Sequence, residues 1–182
     1  MPLKPDIESP VLRSFVQIWR DASDNGALPV KTKLDPVELA RIGVMPIVWL
    51  LERRDGELYC RLAGEDIGTA VGRPTRGRKI SEVYDSPSSD VIIEQWNRIL
   101  DREESCHNKG VIIASLGRRF VGERIALPMA NAVGEARFIL GATFYRKLHG
   151  LYPVEEMASS ILKEPAVFTP YRDILASFSG PA

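Results

Sequence analysis

The chain has 182 residues, enough for one domain with appendages and a core that needs no disulfide staples. Its 24 basic and 24 acidic residues balance, which argues against a chain-wide role on nucleic acid or on a membrane surface, since either needs a basic excess. No apolar run approaches the roughly 18 residues of a membrane span, and the N-terminal MPLKPDIESP lacks an apolar secretory core, so a cytoplasmic protein is expected.

Residues 1–8 are polar and contain proline, and read as a loose tail. Ser9-Pro10 then supplies an N-cap and a proline at the first helical position, where a missing N–H costs nothing. Val11, Leu12, Phe15, Val16 and Trp19 follow at helical spacing, so residues 10–22 are predicted to form an amphipathic helix. Its apolar face calls for cover, either across the same domain or against its copy in a homodimer. Asp24-Asn25-Gly26 stops it, and Asp35-Pro36 opens a second short helix over 36–42.

A hairpin comes next: Pro46–Arg53, a turn at Asp55-Gly56, and Glu57–Ala63. Asp-Gly suits a two-residue connection that needs positive φ. Simple alternation puts Leu58, Cys60 and Leu62 on one face and Tyr59 and Arg61 on the other. Residues 64–84 read as short helical turns around a basic loop, Gly72-Arg-Pro-Thr-Arg-Gly-Arg-Lys79. Ser86-Pro87 begins the longest helix, about 87–104, with Ile92, Trp96, Ile99 and Leu100 in one stripe.

Three β-rich segments follow, Lys109–Leu116, Arg119–Met129 and Ala136–Arg146, joined by turns at Gly117-Arg118 and Asn131–Glu135. Two strands, several helices, a long helix and three strands fit an α+β fold with a five-stranded antiparallel sheet and helices on one face. After Arg146 two short helices are expected, Pro153–Leu162 and Pro170–Phe178, the latter capped by Thr169. Tyr171, Ile174, Leu175 and Phe178 make a clean stripe. A helix that short is marginal alone and needs its own domain, a sister subunit or a partner to dock on.

This order of elements resembles the PAS fold, and more closely the short, stand-alone bacterial PAS proteins once catalogued as a domain of unknown function. The resemblance rests on the helix ending near Trp19, on LPVKTKLDPVEL before the first strand, and on YCRLAGEDI at the end of the second. GRPTRGRKISEVY follows, and RIALPMA and RFILGATFYR form the last two strands. It covers about residues 9–148 and leaves 149–182 as a C-terminal helical extension. It implies a sensory or interaction module binding a small-molecule signal, a signalling partner protein, or both. No haem or flavin signature is present, and the cofactor stays unknown.

Arg61 is the sharpest candidate site residue: on a concave face its guanidinium would clamp a carboxylate or phosphate, with Tyr59 adding a hydroxyl. The plain alternative is an arginine paired with a nearby acid such as Glu65 or Asp66. Trp49 is either cavity wall or ordinary core. The basic loop, with Arg73, Arg76, Arg78 and Lys79, reads as a solvated connector or as a site for a phosphorylated ligand or acidic partner helix; it is not a P-loop, since no Gly-Lys-Ser/Thr follows.

Cys60 and Cys106, the only cysteines, lie in apolar segments and are expected as buried thiols. His107 and His149 are the only histidines, and no further Cys or His sits at metal-ligand spacing. Nothing assembles a nucleophile, base and orienting group, so no catalytic activity is expected. Three functions remain open: a PAS-type sensor or adaptor, a purely structural interaction protein whose cup is filled by Trp49, Trp96, Phe120 and Phe138, and an enzyme using Arg61 and Tyr59 as a clamp without an identifiable base.

Overall fold

Ser9 opens helix α1 (Pro10–Asp21) by accepting a hydrogen bond on its hydroxyl from the Leu12 N–H, and Asp35 does the same with the Val37 N–H for α2 (Pro36–Arg41). Between and beyond these helices the computed structural model describes residues 5–84, 88–113, 119–147 and 166–177. The hairpin is β1 (Val48–Arg54) and β2 (Glu57–Ala63). Asp55 and Gly56 have φ of 51° and 78°, the positive pair that matches a tight turn to the twist of its strands. Then come α3 (Glu65–Val71), α4 (Ile80–Val83), α5 (Ser88–Arg102), β3 (Glu104–Ile113), β4 (Arg119–Ala130), β5 (Ala136–Lys147), β6 (Ala166–Pro170) and α6 (Tyr171–Ser177).

The strands form one antiparallel sheet in the order β2-β1-β5-β4-β3-β6. The α+β architecture expected from the sequence is present, with six strands where five were counted. The extra strand is β6. Thr169, expected to cap a helix, lies in this strand instead; the Ser105 hydroxyl donates to its carbonyl at 3.1 Å. The helix starts two residues later at Tyr171, whose N–H bonds Glu103 O at 2.9 Å. β3 likewise begins at Glu104, earlier than expected, which carries His107 into the sheet. The expected helix at Pro153–Leu162, the Gly117-Arg118 turn and His149 lie outside the described residues.

Helices cover both faces. α3, α4 and α5 pack on one, against Trp49, Leu51, Cys60, Ala126 and Ile139. The flanking helices α1 and α6 cover the other, against Val48, Ile125, Leu127, Met129 and Leu140. Leu12, Phe15, Val16 and Trp19 of α1 are fully buried. Of the two expectations for this helix the structure shows the first: its apolar stripe lies across its own sheet. Tyr171 and Ile174 of α6 are buried on the same side, so this part of the C-terminal extension also docks on its own domain.

Pro128 sits in β4 beyond the end of the β3 pairing, which stops at Ala126, so its missing N–H breaks no ladder bond on that side. The indole N–H of Trp19 donates to its carbonyl at 2.9 Å. A second polar anchor lies at the other end of α1. The buried carboxylate of Glu123 accepts hydrogen bonds from the backbone N–H groups of Glu8 and Ser9, both at 2.8 Å, and lies 2.8 Å from His107 Nε2. Residues 5–8 are therefore tied to the sheet and not a loose tail: Ile7 is buried, and Lys109 pairs with Asp6 and Glu8.

Burial pushes the Glu123 pKa up, but the bonds from His107, Ser9 and Glu8 more than offset it and hold the group below its ordinary 4.5. A depressed carboxylate stabilises the fold fully above its unfolded value and loses that contribution as pH falls through its folded value. The stability of the wild-type protein, measured by urea unfolding, is therefore expected to drop as pH falls below 4.5, more steeply than that of Glu123→Gln. At neutral pH the variant is expected to be less stable by about 1–3 kcal/mol, because buried N–H donors lose part of their acceptor.

Candidate functional site

Between the sheet and α3–α5 lies a cup. Its floor is made by small residues on the inward positions of the central strands, Ala126 of β4 and Gly141 of β5, with Trp49 of β1 lying across them. A Cβ built at Gly141 would come within 2.1 Å of the Trp49 ring, so only glycine lets the indole lie this close to β5. Trp49 packs against Trp96 of α5 with ring centroids 5.2 Å apart, and Tyr84 meets Trp96 edge-on at 6.0 Å.

One wall of the cup is polar. The Trp49 indole N–H donates to Thr143 Oγ1 at 2.9 Å, and Arg124 Nε donates to the same oxygen at 3.3 Å. Tyr84, Tyr145, Cys60 and Thr75 complete this end. Arg124 is only 6% exposed. Burial raises the Tyr84 phenol well above its ordinary value, Tyr145 adding to the rise and Arg124 opposing it. Burial also pushes the Cys60 thiol up, with hydrogen bonds from the Thr75 side chain and the Leu62 backbone offsetting part of that. Both groups stay neutral at physiological pH, so Arg124 is the one formal charge among the described residues that line the cup.

The remaining space is small. The cavity measures about 30 Å3, room for a water or two. Pockets for small-molecule ligands begin near ~300 Å3. The cup is thus largely filled by its own side chains, Trp49 and Trp96 foremost; Phe138, also expected there, lies on the opposite face in the α1 cluster.

The three residues singled out from the sequence do not come together. Trp49 lines the cup; Tyr59 and Arg61 do not. The cup lies on the Leu58/Cys60 face of β2, and alternation puts Tyr59 and Arg61 on the opposite face, beside Glu52. A bulge follows, Leu50 pairing with Leu62 but Leu51 with Cys60, so Arg61 is the extra residue and the alternation breaks at Leu62. Leu58 and Cys60 face the cup helices, whereas Leu62 turns to the α1 side. Arg61 pairs with Glu52 at 3.3 Å, not with Glu65 or Asp66.

The basic loop has a defined structural part. Cys60 N–H bonds Arg78 O at 2.9 Å and Gly77 N–H bonds Cys60 O at 2.7 Å, so the loop caps the outer edge of β2. Both cysteines are buried and neither forms a disulfide. His107 faces Glu123 on the α1 side, and no group of three metal-ligating side chains occurs among the described residues.

Arg124 and Thr143 escaped the sequence reading. The signal was there in the strand GERIALPMA, where Arg124 and Ala126 alternate against Glu123, Ile125 and Leu127. A cation that alternates into line with small residues, opposite a large apolar row, belongs to a face where space is being kept.

A profile of the PAS domain family matches residues 7–144. The chain belongs to the PAS domain family. No curated protein matches it. Among solved structures, the PAS domain of Bordetella pertussis BvgS is similar at 17% identity and a TM-score of 0.44, covering 70% of this chain and 94% of that one. Two variants of Vivid are similar at 17% identity, with TM-scores of 0.43 and 0.44, covering 79% and 80% of this chain and 99% and 98% of theirs. PAS domains are sensory and regulatory modules, and the cup under the helices α3–α5 is the cavity of this PAS domain. No helix among the described residues is long and apolar enough to cross a membrane.

The fit of Trp49 on Gly141 sets a direct test of the cup. Gly141→Ala is expected to destabilise the protein by about 1–3 kcal/mol through overpacking. It should also shift the tryptophan emission, as the indole lifts off β5 and loses Thr143. An unchanged spectrum and unfolding midpoint would show that the indole does not need this close approach.

Proposed function

We propose that this PAS domain is a non-catalytic sensory module whose cup recognises a small anion, a carboxylate or a phosphate, through Arg124. The observation that carries the reading is the guanidinium itself: a single positive charge, almost fully buried, at the end of a chamber whose other walls are Trp49, Leu51, Ile67, Val71 and Ile80. In such surroundings a charge-assisted, bidentate hydrogen bond is strong and geometrically selective. Thr143 holds the guanidinium, and Trp49 holds Thr143, so the recognising group is pre-oriented.

An anion larger than one or two waters enters only if the short helices α3 and α4 move outward. Binding is thereby linked to a change at the surface, where it is read by a partner protein; a ligand shifts such an equilibrium by its differential affinity for the two states. The module works in the cytoplasm as a homodimer on this reading. Contacts through residues 10–22 would use the outward side of α1, since the apolar stripe already faces the sheet.

A second reading has one observation in its favour. The cavity is about 30 Å3, which suits an interaction adaptor with a filled cup and no ligand. The two readings part in a thermal-shift screen of small carboxylates and phosphates. On the sensing reading, an anion in hundredfold excess over its Kd raises the wild-type Tm by about 5–10 °C, while Arg124→Gln and Arg124→Lys, both checked for folding by circular dichroism, lose most of that shift. No shift across the screen, together with no co-purified small molecule in native mass spectrometry, leaves the adaptor.

A further inference from the structure

We propose that the opposite face of the hairpin docks an acidic, Asp/Glu-rich segment of a partner protein, on a platform made by Arg54, Arg61 and Arg137 around Glu52 with Tyr59 beside them. The three arginines come from three strands, β1, β2 and β5. They converge on one carboxylate: Arg137 Nη2 lies 2.9 Å from Glu52 Oε1 and its Nε 3.1 Å from the same oxygen, and Arg61 Nε lies 3.3 Å from Oε2. Arg54 Nε is 3.7 Å from Oε2, beyond hydrogen-bond distance. That nitrogen is buried and has no hydrogen-bond partner among the described residues.

Charge and donors are therefore in surplus. Three guanidiniums carry many N–H donors in fixed planes, and one carboxylate cannot accept them all. The surplus also faces outward: the Glu52 side chain is 11% exposed, whereas those of Arg54, Arg61 and Arg137 are 39%, 48% and 41% exposed. Like charges held this close repel, and the buried counter-ion offsets only part of that. An incoming carboxylate removes the repulsion and takes up the spare donors.

The platform is pre-formed. The guanidinium of Arg54 stacks on the Tyr59 ring at 4.4 Å, and Lys79 lies 5.9 Å from that ring. Alternation along β2 puts Arg61 on the same side as Tyr59, which pairs with Glu52, and the bulge leaves Arg61 with no residue of β1 directly opposite. Arginine and tyrosine on a rigid, half-buried floor are the residue types that concentrate binding energy at protein interfaces.

The surroundings select an acidic polypeptide over nucleic acid. The adjoining groove at the hairpin tip mixes Arg53 and Arg137 with Asp55, Asp101 and Glu135, so no basic stripe runs on from the platform for a long phosphate backbone to follow, whereas a short acidic segment needs only the platform. The chain as a whole has no basic excess. Strand addition is also closed at the middle of β2, where the loop takes both backbone groups of Cys60. Recognition thus runs through side chains.

Fluorescence anisotropy with a labelled glutamate-rich peptide tests this at low ionic strength. The full-length protein is expected to bind it saturably and with an affinity that falls as salt is added. Arg61→Gln and Arg137→Gln, each confirmed folded, are expected to weaken binding about tenfold or more. Arg78→Gln removes the same charge from an exposed position outside the platform, and is expected to change it by no more than about twofold. Arg61→Lys keeps the charge yet still loses several-fold, because an ammonium lacks the planar fork that grips a carboxylate bidentately.

Equal losses in Arg61→Gln and Arg78→Gln would reduce the effect to diffuse charge and overturn the platform. So would the absence of saturable binding, or tighter binding of a labelled single-stranded oligonucleotide than of the peptide. Arg124→Gln is expected to keep its peptide affinity, so the platform and the cup stand or fall separately.

Discussion

The central strands β1, β5 and β4 are buried on both faces, and the other features follow from that constraint. Each successive residue must suit a different apolar environment. Val48 faces α1 and Trp49 faces α5; Ile125 and Leu127 go one way and Ala126 the other. Neither layer of helices is optional, because stripping either would expose a largely apolar sheet face to water. A sheet covered twice also leaves few places for polar groups, and most of those present are paired. Trp19 reaches the Pro128 carbonyl on one side, and Trp49 reaches Thr143 on the other.

Two sites of opposite character grow from the same strands. On the cup side, small residues at 126 and 141 let large aromatics lie close, and one buried guanidinium supplies the charge. On the α1 side, beyond the reach of that helix, the ends of β1, β2 and β5 present arginines to solvent around a sunken carboxylate. β1 belongs to both: Trp49 points into the cup, and Glu52 and Arg54 belong to the outer platform. Plain alternation lets β2 serve both as well, giving Cys60 to the cup and Arg61 to the platform.

Much of the fold was legible because local chemistry decided it. Ser9-Pro10 and Asp35-Pro36 start their helices by capping and a preset φ, which need no tertiary help. Asp55-Gly56 turns the hairpin for the same kind of reason. What escaped was non-local. β6 is a strand because β3 offers it an open edge, and Pro170 with a preceding threonine reads equally well as a helix start. The bulge at Arg61 depends on how β1 is held by β5, and nothing in ELYCRLA announces it. Taking the Tyr59/Arg61 face of β2 as the concave one placed both in the cup and hid Arg124, the cation that lines it.

By itself the sequence determined the element order, the helix caps, the hairpin turn and the apolar stripes, and with them the PAS fold, because each of these is set within a few residues of chain. Only the tertiary structure decided which cation is buried and which is exposed, that the tail is anchored by Glu123, and that the cup is nearly full. Those outcomes depend on side chains distant in sequence meeting in space. A shift of one residue in strand register reverses them without changing a single local preference.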